Sequence, residues 1–264
     1  MDRQPIQISE LLDPVIEQDI RELLIQHFAP AYRERTEEYV ATLLAVDHFA
    51  SRFYYLQSIT GDRFAHQNSN LLVSGFSVGS EMVVARYFGF GEIYGVEVEE
   101  FLVDICRDRL KYFPFMFPSF YDGNILPYQN EQFHVVTSGH VIEHTQNPAL
   151  YLNECMRVLV PDGFLTLEFP NRYHKKELHT NLPSFEWLPR PVRNACLRLL
   201  SSRVSPFSDR VKDRYRSIVD TNLQQISVSG VKKILKRNGQ PAFIRDITSA
   251  APGIIRCIIQ KAAY

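Results

Sequence analysis

The sequence predicts an α/β protein with a doubly wound, mostly parallel sheet covered by helices on both faces. Three observations point there. Between about residues 70 and 170, short apolar runs alternate with amphipathic runs of helix length, and such alternation implies a parallel sheet buried on both sides. The first apolar run ends in a glycine turn, "SGFSVGS", that leads straight into a helix. The chain has 264 residues, 45% of them hydrophobic and 22% charged, which suits one large domain with decorations or two small ones and excludes disorder.

The elements follow in order. Residues 1–66 read as helical, an N-terminal unit that either forms a lid over a site or simply packs on the core. Asp13 is placed to cap a helix with Pro14 in its first turn. Ile16, Ile20, Leu23, Leu24 and Phe28 then share a face. "TEEYVATLLAVDHFASRFYYLQSI" is a second helical block. The main domain spans 67–264. Its strands are "NLLVS", "IYGVEV", "QFHVVTS" and "GFLTLEF"; its helices are "SEMVVARYF", "EFLVDICRDRLKYF" and "NPALYLNECMRVL", the last capped by Asn147 with Pro148 just inside. "YFPFMFPSFYD" hides a further strand, which Pro114 and Pro118 confine to an edge. Residues 171–225 break the rhythm as an insertion. A helix at 227–238 and a strand at 253–262 close the chain.

Bulk properties narrow the function. A net charge of −1 argues against a surface for nucleic acid. There is no run of about 18 apolar residues, so no spanning helix is expected, and the acidic start "MDRQPIQISELLDPVIEQDI" does not read as a signal peptide. Cys106, Cys155, Cys196 and Cys257 are scattered without a CxxC pair, which reads as free thiols in a reducing cytoplasm rather than a metal site.

The glycine turn carries the chemistry. Ligands of open parallel sheets sit beyond the carboxyl ends of strands. Gly75 and Gly79 lie there, where glycine permits a sharp turn and close approach of a ligand. The following helix starts near Ser80 and offers free N–H groups. Glu97 ends the next strand, placed to accept hydrogen bonds from ribose hydroxyls. A nucleoside-containing ligand is therefore expected. The glycines do not fit G-x-G-x-x-G, since Ser77 occupies the middle position that a pyrophosphate needs bare, and no Gly-Lys-Ser/Thr follows.

Further motifs narrow the ligand. "GFSVG", "GVEV", "YDGNILP", "SGHVIEH" and "RVLVPDG" occur in this order. Together they resemble the class I S-adenosylmethionine-dependent methyltransferases over about residues 70–171. The resemblance implies a Rossmann-like, mostly parallel seven-stranded sheet and S-adenosyl-L-methionine as cofactor. It places Gly75, Phe76, Ser77, Gly79, Glu97, Val98, Asp122, Gly123, Asn124, Ser138, Gly139 and His140 in the cofactor cleft. Glu97 would grip the ribose and Asp122 the adenine amino group, with Val98 and Ile125 as a slot for the ring. Three residues depart from the pattern: Ser77 and Asp162 stand where the family has glycine, and His134 where it has Asp. They motivate an alternative, a binding module of this fold without turnover. The glycine spacing disfavours the other rival, a nicotinamide-dependent oxidoreductase.

On the acceptor side, His140 and His144 both follow the fourth strand. His144, within the resemblance's "EH", is a candidate base for a hydroxyl acceptor; a loop-anchoring role is the plain alternative. Glu143 and His144 alone do not complete a metal site. "NRYHKKELHTNLPSFEWLPRP" offers His179 as a second candidate base, with Glu177 beside it and Phe185 and Trp187 as walls of a pocket or packing of the insertion. The segment is similar to one in methyltransferases linked to polysaccharide or lipid biosynthesis, which implies a small-molecule acceptor on a sugar or lipid-linked precursor. Residues 190–216 carry eight basic side chains against Asp209 and Asp213, a run suited to peripheral contact with an anionic membrane or to a solvated helix face.

Overall fold

Seven strands form one sheet: β1 (Asn70–Ser74), β2 (Glu92–Glu97), β3 (Met116–Phe120), β4 (Phe133–Gly139), β5 (Leu159–Pro170), β6 (Ala242–Ala251) and β7 (Ile254–Lys261). Their order is β3-β2-β1-β4-β5-β7-β6. The first five are parallel, and β7 runs antiparallel to both its neighbours. This computed structural model describes residues 8–61, 68–174, 188–202, 226–237 and 242–263, together with 185, 212, 224 and 239. From β1 the chain winds outward to β2 and β3, then returns to place β4 on the other side of β1. Ser74 and Ser138 pair at the carboxyl ends of β1 and β4, so the switch point opens there.

The helices start where local chemistry starts them. Asp13 accepts hydrogen bonds from Val15 N and Ile16 N at 2.9 and 3.3 Å and opens α1 (Pro14–Tyr32). Helices α2 (Thr36–Leu44) and α3 (Asp47–Thr60) follow. Then come α4 (Ser80–Tyr87), α5 (Glu100–Leu110) and α6 (Pro148–Val158) between strands. Asn147 caps α6 through Ala149 N and Leu150 N, both at 3.1 Å. Two more, α7 (Arg190–Leu200) and α8 (Val228–Arg237), precede β6. Of the face expected for α1, Ile20 and Leu24 are buried, but Leu23 is exposed. Strand β6 was not read from the sequence as a separate element. It is an edge strand whose side chains alternate between half-buried and exposed, so it lacks the apolar run of an interior strand.

Side chains of successive strand residues point to opposite faces. Leu71 and Val73 of β1 join one core with Phe53, Leu56, Val83 and Phe90. Leu72 joins the other with Val136, Tyr151, Leu152, Leu165 and Val231. A third cluster joins Ile20, Leu24 and Val40 to Val78 of the glycine turn and to Leu102 and Ile105. The free cysteines Cys106, Cys155 and Cys257 are buried, and Cys196 is half-buried. In the basic run 190–216, α7 exposes Val192 and Leu199 but buries Arg193. No helix among the described residues is long and apolar enough to cross a membrane.

The N-terminal helices are joined to the sheet by buried charge. Arg52 of α3 donates to Glu81 of α4 and, at 2.5 Å, to Glu168 of β5. Arg256 of β7 donates to the other Glu168 oxygen, also at 2.5 Å. All four side chains are buried. Burial pushes the Glu168 carboxyl up, but the charges of Arg52 and Arg256 outweigh it and hold it at about 2. Its folded value is depressed, so its contribution to stability is full above the ordinary value of about 4.5 and disappears as pH falls toward about 2. Denaturant titrations should therefore show stability falling through that window. The Glu168→Gln protein, with Arg256 left without its carboxylate and Arg52 left with Glu81 alone, should lose about 3–5 kcal/mol at pH 7 and show a flatter acid limb.

Candidate functional site

The glycine turn between β1 and α4 is held in a left-handed backbone. Gly75, Ser77 and Gly79 have φ of 74°, 53° and 82°. A Cβ on Gly75 would lie 2.3 Å from the Val141 side chain, and one on Gly79 would lie 2.6 Å from Cys106 Sγ. Both positions thus require glycine twice over, by conformation and by space. Ser77 occupies the same backbone region with a side chain. Asp162, the other residue standing where a glycine was expected, also has positive φ, 62°. The unusual conformation persists there while the residue that relaxes it is absent. Asp162 is tied down by Gln260, whose amide donates to its carboxylate at 3.0 Å. At the third departure, His134 Nδ1 accepts from Asn70 N at 3.1 Å at the start of β1.

One guanidinium braces this turn. Arg109 is buried; it donates to Val78 O at 3.1 Å, to Ser80 Oγ at 2.7 Å and to Leu44 O at 3.0 Å, and it pairs with Glu17 at 2.6 Å. Ser80 Oγ in turn donates to Leu43 O at 2.6 Å. The turn therefore leans on α1 and on the end of α2.

Beside the turn stands Glu97. Its carboxylate accepts from Ser77 N at 2.9 Å and from Val98 N at 2.8 Å. Burial raises its pKa, with backbone donors at Ser77, Val98 and Glu99 acting against that rise. Four lone-pair positions serve a carboxylate, so these backbone donors leave capacity for a ligand's hydroxyl. Asp122 is exposed at the end of β3. Asn124 donates to it from its side chain at 3.1 Å and from its backbone at 3.0 Å, which lowers its pKa. Gly123 has φ 81°, and its Cβ would meet Val98 at 3.6 Å. The loop after β3 thus abuts the end of β2. Val98 and Ile125 are both exposed, apolar walls beside the two acids.

Other expected residues lie further in. Phe76 is buried; its ring fills the space at Gly95, where a Cβ would be 2.5 Å away. Ser138 is buried and its hydroxyl accepts from Tyr151 at 2.7 Å. Gly139 ends β4 against the Arg52 guanidinium, which a Cβ there would meet at 2.3 Å. His140 follows in the left-handed region at φ 57°, with its N–H on Glu168 O at 2.9 Å. His144 is exposed in the short turn Ile142–His144. Glu177, His179 and Trp187 lie outside the described residues; Phe185 is half-buried. Arg52 was missed. Nothing in a helix of residues 47–60 marks a residue that ends beside Gly139, whereas Glu168, an acid within the apolar strand "LTLEF", could have been noticed.

Comparison with known proteins bears on this cleft. A family model described as a methyltransferase domain matches residues 72–167. No curated protein matches by sequence. Among solved structures, the chain is similar to a Mesorhizobium loti S-adenosylmethionine dependent methyltransferase, with TM-score 0.55, 11% identity, and 80% and 98% of the two chains covered. It is similar to a chain in the complex between the Haloferax volcanii Trm112 methyltransferase activator and a methyltransferase, with TM-score 0.57, 10% identity, and coverage of 94% and 98%. A Listeria monocytogenes protein assigned as an S-adenosylmethionine dependent methyltransferase gives TM-score 0.54, 12% identity, and coverage of 81% and 99%. At these identities the likeness is one of fold.

The left-handed turn gives a direct test. Ser77→Val forces a β-branched residue into φ 53° and should cost about 1–2 kcal/mol. Ser77→Gly should stay within about 1 kcal/mol of the native protein or exceed it. Urea denaturation of both variants reads the difference, and equal stability would contradict the assigned strain.

Proposed function

We propose that this chain, which matches a methyltransferase-domain model over residues 72–167, is a class I S-adenosylmethionine-dependent methyltransferase that methylates a hydroxyl of a small-molecule acceptor, on a sugar, a lipid-linked precursor or a related metabolite. The cofactor is S-adenosyl-L-methionine, which supplies an electrophilic methyl group on a sulfonium. The residues present fit it. Gly75 and Gly79 let the turn fold tightly against Val141 and Cys106 in a left-handed backbone. Glu97 sits beside that turn, where its carboxylate can also accept from ribose hydroxyls. Val98 and Ile125 offer apolar surface to a flat ring, with Asp122 at its edge. The observation that carries the reading is the hydrogen bond from Ser77 N to Glu97, which sets the acid beside the glycine turn.

The protein's own work would be alignment. An in-line displacement gains most from holding its two reactants at short range in one orientation. Helices α1–α3, which lean on the turn through Arg109, serve as the lid in this reading. A histidine of the turn after β4 would take the acceptor's proton. On α7, exposed Val192, Arg198 and Leu199 support an acceptor with an apolar or anionic part; peripheral membrane contact through 190–216 is the extended form of that idea.

Calorimetric titration with S-adenosylmethionine tests the cofactor site directly. Binding should weaken by about 10- to 100-fold in Glu97→Gln, the loss of one or two hydrogen bonds to a charged group. No heat at millimolar cofactor, or full affinity in Glu97→Gln, would overturn this reading of the cleft.

A further inference from the structure

Glu143, in the turn after β4, is an acid that the cofactor cleft does not use. It is buried, at 2% exposure. Among the described residues, no donor makes a hydrogen bond to either of its carboxylate oxygens. A buried carboxylate in that condition is costly, and such groups persist where they have work to do. His140 is poised against it: Nδ1 lies 3.4 Å from Glu143 Oε1, longer than a formed hydrogen bond and within reach of one after a small rotation. Catalytic hydrogen bonds are often this long before a ligand closes the site.

His140 is placed in an unusual way. Its φ of 57° is left-handed, a conformation that costs a side-chain-bearing residue roughly 1 kcal/mol or more. Its N–H is anchored to Glu168 O at 2.9 Å, so the strained residue is fixed where β4 and β5 end. One ring nitrogen faces the buried acid, while the side chain as a whole is 39% exposed. The ring thus bridges a buried carboxylate and the open end of the sheet.

We infer that Glu143 and His140 form a proton-handling pair, with Glu143 as the positioning residue and His140 as the base. The inference rests on the methyltransferase reading and, within it, assigns to His140 the role first expected of His144. Glu143 accepts from Nδ1–H and so fixes the tautomer in which Nε2 is bare. The acceptor's O–H bond breaks, its proton passes to Nε2, and the electron pair stays on oxygen as the nucleophile. The resulting imidazolium is matched by the Glu143 carboxylate, and the proton then leaves to water.

The tautomer can be read without any ligand. Long-range proton–nitrogen NMR spectra of the full chain, with the His140 signals assigned by their loss in His140→Asn, should show the neutral ring protonated on Nδ1. In Glu143→Gln and Glu143→Ala the population should move toward the Nε2–H form that free histidine prefers. A wild-type ring carrying its proton on Nε2, or the same tautomer populations in wild type and both variants, would overturn the pair. Should the variants fail to fold, the wild-type spectrum alone decides. Calorimetry with S-adenosylmethionine on the same samples separates the two claims: cofactor binding beside an Nε2–H ring removes the pair and leaves the methyltransferase reading intact, whereas no binding removes both.

Discussion

The carboxylate of Glu168 is the point on which this architecture turns. It belongs to the fifth parallel strand and is shared by two guanidinium groups, one from the N-terminal helices and one from the antiparallel strand β7. Ion pairs this deep are weak sources of net stability, because desolvation offsets most of their attraction. Their effect is on geometry. Arg52 can meet Glu168 and Glu81 together only if α3 crosses the carboxyl edge of the sheet beside Gly139. The backbone oxygen of Glu168 accepts from the N–H of His140. A single residue therefore sets where the helical unit docks and where the turn after β4 begins.

The carboxyl end of the sheet is lined by backbone conformations that side chains avoid. Gly75, Ser77 and Gly79 on one loop, Gly123 on the next and His140 on a third all have positive φ. These residues are far apart in sequence yet cluster at the carboxyl ends of β1, β3 and β4. Strained positions gathered at one end of a sheet are characteristic of sites that must present N–H groups and bare space to a ligand. Ser77 and Asp162 keep the left-handed shape without glycine, so the shape is imposed by neighbouring contacts more than by residue type. For Asp162 the Gln260 amide supplies such a contact, and for Ser77 the Glu97 carboxylate does.

Much of this was legible in the sequence. Apolar runs of strand length, the caps at Asp13 and Asn147 and the prolines flanking "FMF" located most of the elements, because those signals are local. The glycine turn and Glu97 were legible for the same reason, since their spacing reflects one strand–helix–strand unit. Strand β6 was not, as half-buried edge residues carry no apolar run. Arg52 and Glu143 were not either. Their importance lies in which distant groups meet them, and a charged residue on a helix or a turn looks the same in sequence whether it is solvated or sealed. Leu23 shows the converse: an apolar residue beside the buried stripe of α1 that the fold leaves in solvent.

Arg109 ties the two halves of the molecule together in another sense. One side chain grips the glycine turn through Val78 and Ser80 and the helical unit through Glu17 and Leu44. Loosening either would cost hydrogen bonds of the same side chain. Any molecule that orders the turn also tightens the docking of α1 and α2, and by thermodynamic reciprocity anything that pries those helices away weakens its hold. If a ligand binds at this turn, its occupancy and the seating of those helices would be coupled through one guanidinium.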